Sequence, residues 1–556
     1  MYHLASMCSY SYSNEMEVSP SSVVARPGFL ESQRQSIKLP LAFLMGGILG
    51  LSTPGFDLAP VAWVGLVPLL ILTRACRHPI EAALTGLTFG TGYYAIALSF
   101  FLGLQPLRWL GINDLLGLQV VVLTWIAESL HCAVLIALFS LLVFCLPLRA
   151  GFLPYHRRPF YPYLLAVPAI WVFIAWVIAP SPFFLGTPLS QLAYTQAKNT
   201  PLIQVASLAG SGAIDFLIVL VNCAVAGLVI ELSPFVRKLG ERTDRLNTEV
   251  GALADLGFAA LIIFSVCSWG TMQMAHIEEQ VRPERATRLN PQTPPVPIAI
   301  LQGNVSIEEE RFKTMPAEEF SGRYSELAAN NGASIMILPE GVVTSSQMGP
   351  GGLMSKMSAV SANERKEIIL GAVQPMRDGY VNCAKIISPF HYKENTYVKQ
   401  RLVPFGESIP VNLLYQKIPE DLRNRIPASK EQFLAAQKAQ LIHSGWGKIG
   451  VAICNEAIYP QLVSEQVRQG ASLIVVLANL GWFHNSSLSK QFLACATLRA
   501  VENRRFVILS TNSGVSSVID PCGVVVSKSL ALKRGILLDT VQFIYSKTPF
   551  SRLRWL

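Results

Sequence analysis

Between residues 39 and 269, apolar runs follow one another with almost no charge inside them. They fall at about 39–53, 58–74, 80–103, 114–147, 161–179, 211–231 and 251–269. A helix needs roughly 20 apolar residues, with a range of about 17–25, to cross the hydrocarbon core of a bilayer. Only helices and closed barrels satisfy their backbone polar groups in lipid. Runs of this length and number therefore predict a multi-span α-helical membrane domain. Helices buried in a large water-soluble core are the alternative, and they demand a charged exterior that this half lacks. Only 15% of the chain is charged, against about 25% in a typical soluble domain, and most of that charge lies beyond residue 270. The first two runs are short and joined by the turn-rich stretch from Ser52 to Pro60, which predicts two spans or a broken hairpin.

Lys and Arg are spread unevenly around these runs. With the N-terminus in the cytoplasm, the inner flanks carry twelve of them, among them Arg26, Lys38, Arg74, Arg157 and Arg242, and the outer loops carry Arg108 and Lys198. That asymmetry follows the positive-inside bias. Seven spans then place everything after about residue 270 outside the cytoplasm, which in a two-membrane bacterium is the periplasm. Topology thus accounts for the formal charge of +9, and no basic stripe interleaved with aromatics marks a nucleic-acid surface. Residues 1–38, rich in Ser, Tyr and Pro, read as a disordered cytoplasmic segment and not as a signal peptide. Glu128 and His131 share one face of the fourth run by their spacing, where they can line a cavity, meet a headgroup or satisfy each other.

From residue 296 the pattern changes to short apolar strands alternating with amphipathic segments, which predicts an α/β domain with helices covering sheet. The expected organisation is a membrane domain over 39–270, a charged, Pro-rich linker over 271–295, an α/β domain over 296–540 and a tail over 541–556. The ten cysteines are scattered without a CxxC pair and imply no disulfide framework. No HExxH motif and no glycine-rich phosphate loop occurs, so the sequence points to no metal, nucleotide or other cofactor.

Three polar residues stand at expected strand ends, where open α/β sheets place their chemistry. Glu340 closes ASIMILPE, Cys454 closes WGKIGVAIC just before an expected helix, and Lys399 precedes the turn LVPFG. A helix N-terminus and a nearby lysine would both favour a thiolate. A carboxylate would accept its proton, and a lysine could hold charge on a carbonyl oxygen. Position alone leaves the alternatives open, since buried cysteines are more often inert core and a Glu at a strand end is more often a cap or an ion-pair partner.

The motifs around these residues resemble those of the nitrilase (carbon-nitrogen hydrolase) superfamily over about 296–530. With the apolar first half, the chain resembles the membrane branch of that superfamily, the apolipoprotein N-acyltransferase family, over about 38–550. The nucleophile motif of the family is similar to Ile453-Cys454-Asn455-Glu456, its base to Glu340 after Pro339, and its lysine to Lys399 ahead of the distinctive run from Leu402 to Glu407. Further similarity lies at Gln302-Gly303-Asn304, Trp482-Phe483, Arg499 with Glu502, and Asn512-Ser513-Gly514.

The resemblance implies an α-β-β-α sandwich for the second half, with Cys454 as nucleophile, Glu340 as general base and Lys399 stabilising the oxyanion. Glu407 and Glu456 are implied as supporting carboxylates, and Asn455, Trp482 and Phe483 as candidate lid or acyl-chain contacts. It implies transfer of a fatty acyl group from a phospholipid, through a Cys thioester, to the free amine of a diacylglyceryl-modified apolipoprotein at the outer face of the inner membrane. A membrane-tethered amidase and a non-catalytic lipid-binding scaffold are the alternatives. The chain departs from the family at Asn455, where a Tyr is usual, at Asn479 to His484, where NDAWFG is usual, and at Gln491-Phe492, where QH is usual. After Thr548-Pro549-Phe550 the expected tail lacks the family's final membrane helix.

Overall fold

The computed structural model describes residues 29–145, 163–178, 191–233, 249–281, 294–311, 314–329, 331–390, 396–408, 420, 433–438 and 440–553. Residues 1–28 of segment 1–38, residues 282–293 of linker 271–295 and the last three residues of the tail therefore lie outside the described residues.

Each expected apolar run is helical, with differences in extent. The long elements are α1 (Phe29–Gly50), α2 (Val67–Arg74), α3 (Pro79–Ala97), α4 (Asp114–Cys145), α5 (Tyr163–Phe173), α6 (Ser211–Leu232) and α7 (Glu249–Val281). Helices α4, α6 and α7 are long and apolar enough to cross a membrane. Helix α6 is central, with 56% of its apolar window buried, whereas α7 has 11% buried and presents Leu261, Phe264 and Met272 outward. Helix α1 starts at Phe29, inside the segment expected to be disordered, and α7 runs eleven residues past the expected boundary at 270.

Of the two forms expected for the first two apolar runs, the second run takes the broken one. It breaks into a 3₁₀ turn (Ala59–Trp63) and the eight-residue α2, which at 1.5 Å per residue covers about 12 Å. Prolines near the start of both pieces, Pro60 and Pro68, break the helical ladder. Irregular backbone at membrane depth is tolerated where protein satisfies it. Here Asn222, fully buried on α6, does so: its Oδ1 accepts from Leu66 N at 2.8 Å and its Nδ2 donates to Ala62 O at 2.9 Å.

The second half is two six-stranded sheets packed face to face. One runs in the order β12 (Gly535–Val541), β1, β2, β3, β4, β5 and the other in the order β11 (Val525–Lys528), β10 (Ser517–Ile519), β9, β8, β7, β6 (Ile442–Ser444). In the first sheet β1 (Val296–Gln302), β2 (Ile335–Ile337) and β3 (Glu367–Met376) are parallel, followed by antiparallel β4 (Gly379–Ile387) and β5 (Thr396–Val398). In the second, β7 (Gly447–Ile453), β8 (Leu473–Ala478) and β9 (Val507–Thr511) are parallel. Successive side chains of a strand point to opposite faces, so both faces of these strands must be covered. Ile298, Ile300 and Ile337 meet Val451, Ile453 and Val475 between the sheets. Ala299, Leu301 and Met336 face α8 (Ala317–Ala328) and α9 (Leu353–Glu364). Ala452, Ile474 and Val476 face α10 (Pro460–Arg468) and α11 (Leu488–Asn503). The α-β-β-α sandwich is thus present.

The two halves share one core. Ile458, Leu488, Phe492 and Leu498 of the sandwich pack with residues of the helical bundle. Polar contacts fix the docking: Gln491 Nε2 donates to Ala97 O at 2.8 Å, Gln204 Nε2 to Cys522 O at 2.8 Å, and Ser211 N to Glu502 Oε1 at 2.9 Å. In the tail, Phe550 is fully buried and meets Trp176 edge-on at 6.0 Å, which fastens this end of the sandwich to the bundle.

Candidate active site

The ends of β2, β5, β7 and β8 converge on one edge of the sandwich, and each delivers one polar group. Glu340 follows β2, Lys399 follows β5, Cys454 follows β7 and Asn479 follows β8. All three expected residues, Glu340, Lys399 and Cys454, are brought together. Lys399 is fully buried, with Nζ 3.2 Å from Glu340 Oε1 and 2.9 Å from Glu407 Oε2. The Cys454 thiol lies within electrostatic reach of both Glu340 and Lys399. Glu407 is held in turn by Val403 N at 2.8 Å, within the loop that follows Lys399.

Two carboxylates and one ammonium leave the buried site with a formal charge of −1 while the thiol is neutral. Burial opposes the Lys399 charge, but Glu340 and then Glu407 outweigh it and hold the ammonium above its ordinary range. For Cys454, burial and then the Glu340 charge push the thiol well up, and Lys399 offsets this only in part. That runs against the favouring of the thiolate expected from a helix N-terminus and a nearby lysine. The helix expected at Cys454 is a 3₁₀ turn (Cys454–Ile458), and α10 starts only at Pro460, so no α-helix N-terminus stands at the sulfur. Cys454 itself has φ +52°, a left-handed conformation costly for a side chain. The arrangement can move the thiol proton to Glu340 without changing the net charge of the site, so a thiolate forms only as its proton is transferred.

Glu456 caps the turn that starts at Cys454, through Ile453 N, and makes no hydrogen bond to Lys399 among the described residues. It is fully buried and spans the two sheets. Its Oε2 accepts from Tyr397 Oη at 2.8 Å and Ile453 N at 2.7 Å, and its Oε1 from Gln400 N at 2.6 Å and Arg401 N at 3.1 Å. One carboxylate thereby ties the segment carrying Lys399 to the strand carrying Cys454. Burial raises its pKa, and these donors work the other way.

Two contributors were not singled out from the sequence. Asn382 on β4 donates through Nδ2 to Glu340 Oε1 at 2.9 Å and Glu407 Oε1 at 2.8 Å, spacing the two carboxylates. Nothing in its local sequence marks it. Gly371 on β3 packs behind the base: a Cβ there would lie 2.6 Å from both Glu340 Cα and Pro339 O. A glycine inside an apolar strand is a signal of close backbone approach, so this one was detectable. Asn479 contributes its backbone, with N–H donating to Glu340 Oε2 at 2.9 Å.

The remaining expected residues sit apart from the reacting groups. Trp482 and Phe483 form a 3₁₀ turn docked on the helical bundle, Trp482 edge-on to Trp109 at 5.0 Å and Phe483 edge-on to Phe100 at 5.4 Å. The backbone there is so close that a Cβ on Gly103 would meet Phe483 O at 2.3 Å. Asn455 is half-buried beside the nucleophile, and its Oδ1 is enclosed without a partner among the described residues. Glu128, His131 and Cys132 on α4 bring their ligand atoms within 4.8 Å of one another. They bond among themselves, Glu128 with His131 at 3.2 Å and with Cys132 at 3.5 Å.

Comparison with known proteins covers both halves. Residues 298–546 match the model of the carbon-nitrogen hydrolase family, and residues 45–105 and 103–224 match that of the apolipoprotein N-acyltransferase N-terminal domain. The chain belongs to the apolipoprotein N-acyltransferase family. An apolipoprotein N-acyltransferase of Gloeobacter violaceus is 29% identical over 88% of this chain and 86% of its own length. One of Geobacter metallireducens is 26% identical over 92% of this chain and 91% of its own. Among solved structures, an amidase from Nesterenkonia sp. aligns with 45% of this chain and 91% of its own at 18% identity and a TM-score of 0.32. Family membership makes the chain a membrane-associated N-acyltransferase.

Proposed function

We propose that the chain transfers a fatty acyl group from a phospholipid, through a thioester on Cys454, to the free α-amine of a diacylglyceryl-cysteine at an apolipoprotein N-terminus. Glu340 accepts the Cys454 proton as the sulfur attacks the ester carbonyl. Lys399 stabilises the oxyanion. The proton passes from Glu340 to the leaving glyceryl oxygen, and a lysophospholipid departs. The acceptor amine then attacks the thioester, gives its proton to Glu340, and the thiol is restored as the amide forms. Glu407 and Asn382 keep Lys399 and Glu340 in register, and Glu456 holds the two strand ends together. Neither half-reaction needs a cofactor.

One observation carries this reading: the thiol that stands with Glu340 and Lys399 also packs against the hydrophobic cluster that the helical bundle and the sandwich share. A nucleophile at that junction suits substrates whose acyl chains lie in a bilayer. The charge asymmetry of the loops supports an N-terminus in the cytoplasm and a sandwich on the outer face of the inner membrane.

The test is to mix purified protein with phospholipid and no acceptor. Intact mass should rise by one acyl group, removable by hydroxylamine and mapped to Cys454, and Cys454→Ala should show neither adduct nor transfer. A diacylglyceryl peptide with a free amine should discharge the adduct, and an N-blocked one should not. Discharge by water alone would favour an amidase-like hydrolase, and unchanged transfer by Cys454→Ala would overturn the mechanism.

A further inference from the structure

A second cavity of about 550 Å³ opens beside the candidate active site, and Glu340, Lys399 and Cys454 take no part in its lining. Its volume lies within the range of about 300–1,000 Å³ typical of small-ligand sites. Its charged walls are Glu308, Glu309, Arg323 and His484, with Asn304 and Ser513 between them. Arg323 pairs with Glu309 at 3.5 Å. His484 bridges two acceptors, with Gly103 O at 2.7 Å from Nδ1 and Glu308 Oε1 at 3.2 Å from Nε2. The walls thus carry two carboxylates, one guanidinium and one imidazole, with no surplus of cations. Ser513 is only 5% exposed, and its hydroxyl makes no hydrogen bond among the described residues.

The cavity connects the membrane side to the base. Gly103 belongs to the outer loops of the helical bundle, and its carbonyl is bound by His484 in the cavity wall. Gly481, also in the wall, donates its N–H to Asn479 Oδ1 at 3.2 Å, and the Asn479 N–H holds Glu340. His484 keeps φ +45° and ψ −140°, a backbone conformation costly for any residue but glycine.

We propose that this cavity is the subsite for the polypeptide of the acceptor, the residues that follow its lipidated N-terminal cysteine. This rests on the N-acyltransferase reading above. A phosphate headgroup would call for a surplus of cations, and an acyl chain for an apolar lining. Mixed donors and acceptors without a surplus of cations fit a hydrogen-bonding ligand, and a peptide backbone is one. An amine delivered to Glu340 from a membrane-anchored acceptor leaves the following residues at this level, between the bundle and the base.

The experiment compares two acceptors, diacylglyceryl-cysteine amide and the same group on a five-residue peptide, with Arg323→Ala and Ser513→Leu variants of the full chain. Thioester formation from phospholipid is measured alongside to report a folded, competent site. Either variant should raise KM for the peptide acceptor roughly tenfold, the size of one lost polar contact. The kcat, the rate of thioester formation and the KM for the amide acceptor should stay within about twofold. Equal KM shifts for both acceptors, or none for the peptide with normal thioester formation, would overturn the subsite alone. A wild-type chain that forms no thioester would overturn the acyltransferase reading and the subsite with it.

Discussion

Lys399 Nζ stands 3.2 Å from Glu340 Oε1, although 59 residues separate the two in sequence and Lys399 is fully enclosed by protein. An ammonium so placed cannot exchange partners with water. It stays charged because Glu340 and Glu407 together outweigh its burial. Removing it would leave two buried carboxylates facing each other through Asn382, with nothing to balance them.

Lys399→Met is therefore expected to act twice: it removes the oxyanion partner, and it removes the cation that Glu340 and Glu407 share. Acyl-enzyme formation should slow by roughly 10²–10³, the loss typical of one oxyanion-stabilising group. Lys399→Arg should not restore it, because the planar guanidinium cannot stand between the two carboxylates as an ammonium does. Stopped mass spectrometry of the thioester measures both, and normal rates in the Met variant would remove Lys399 from the site.

Cys454 should react slowly with iodoacetamide at pH 8, where an unperturbed thiol with a pKa of about 8.5 is already partly ionised. Its raised pKa follows from burial and then from Glu340, so alkylation should quicken only as pH climbs above the ordinary thiol range. Glu340→Gln removes that charge, and alkylation at pH 8 should then rise while acyl transfer is lost. Linkage has a matching sign. The folded chain keeps its Cys454 proton where the unfolded chain has released it, so this group's stability contribution is full below about 8.5 and is lost as pH rises beyond. Cys454→Ser should flatten that part of the pH–stability profile, read from the unfolding midpoint between pH 8 and 10.

Glu456 is expected to matter through position. Tyr397→Phe removes one of its four donors and should cost about 1–2 kcal/mol with transfer nearly intact. Glu456→Gln turns an NH₂ toward donors and strands at least one backbone N–H, at about 1–3 kcal/mol, besides removing the charge that strengthens the other bonds. Its unfolding midpoint should fall by more than that of Tyr397→Phe, and acyl-enzyme formation should fall with it, because Lys399 and Cys454 lose their shared tether. A Gln variant as stable and as active as the parent would refute this account.

Orientation is open to a direct measurement. A reporter active only outside the cytoplasm, fused near residue 285, should be active, and one fused ahead of residue 29 should not. The reverse pattern would contradict the inside placement of the basic flanks and, with it, access to a lipoprotein acceptor.

The helical first half and the alternating second half were legible because hydropathy and its period are properties of neighbouring residues. The same holds for Glu340, Lys399 and Cys454, since a strand end is visible locally and their motifs resemble a known family. Local pattern did not show that Pro60 and Pro68 break the second apolar run, with Asn222, more than 150 residues away, supplying the missing partners. Nor did it show Asn382 between two carboxylates, Glu456 bridging two sheets, or a thiol pushed up instead of down. Each of these depends on which strands pair and how two sheets stack, which brings Asn479 to Glu340 across 139 residues. Sequence alone determined which segments would be helix or strand and which side chains to expect at the site. Tertiary structure decided the charge balance around them, because desolvation and Coulomb energy depend on distances that only the folded chain sets.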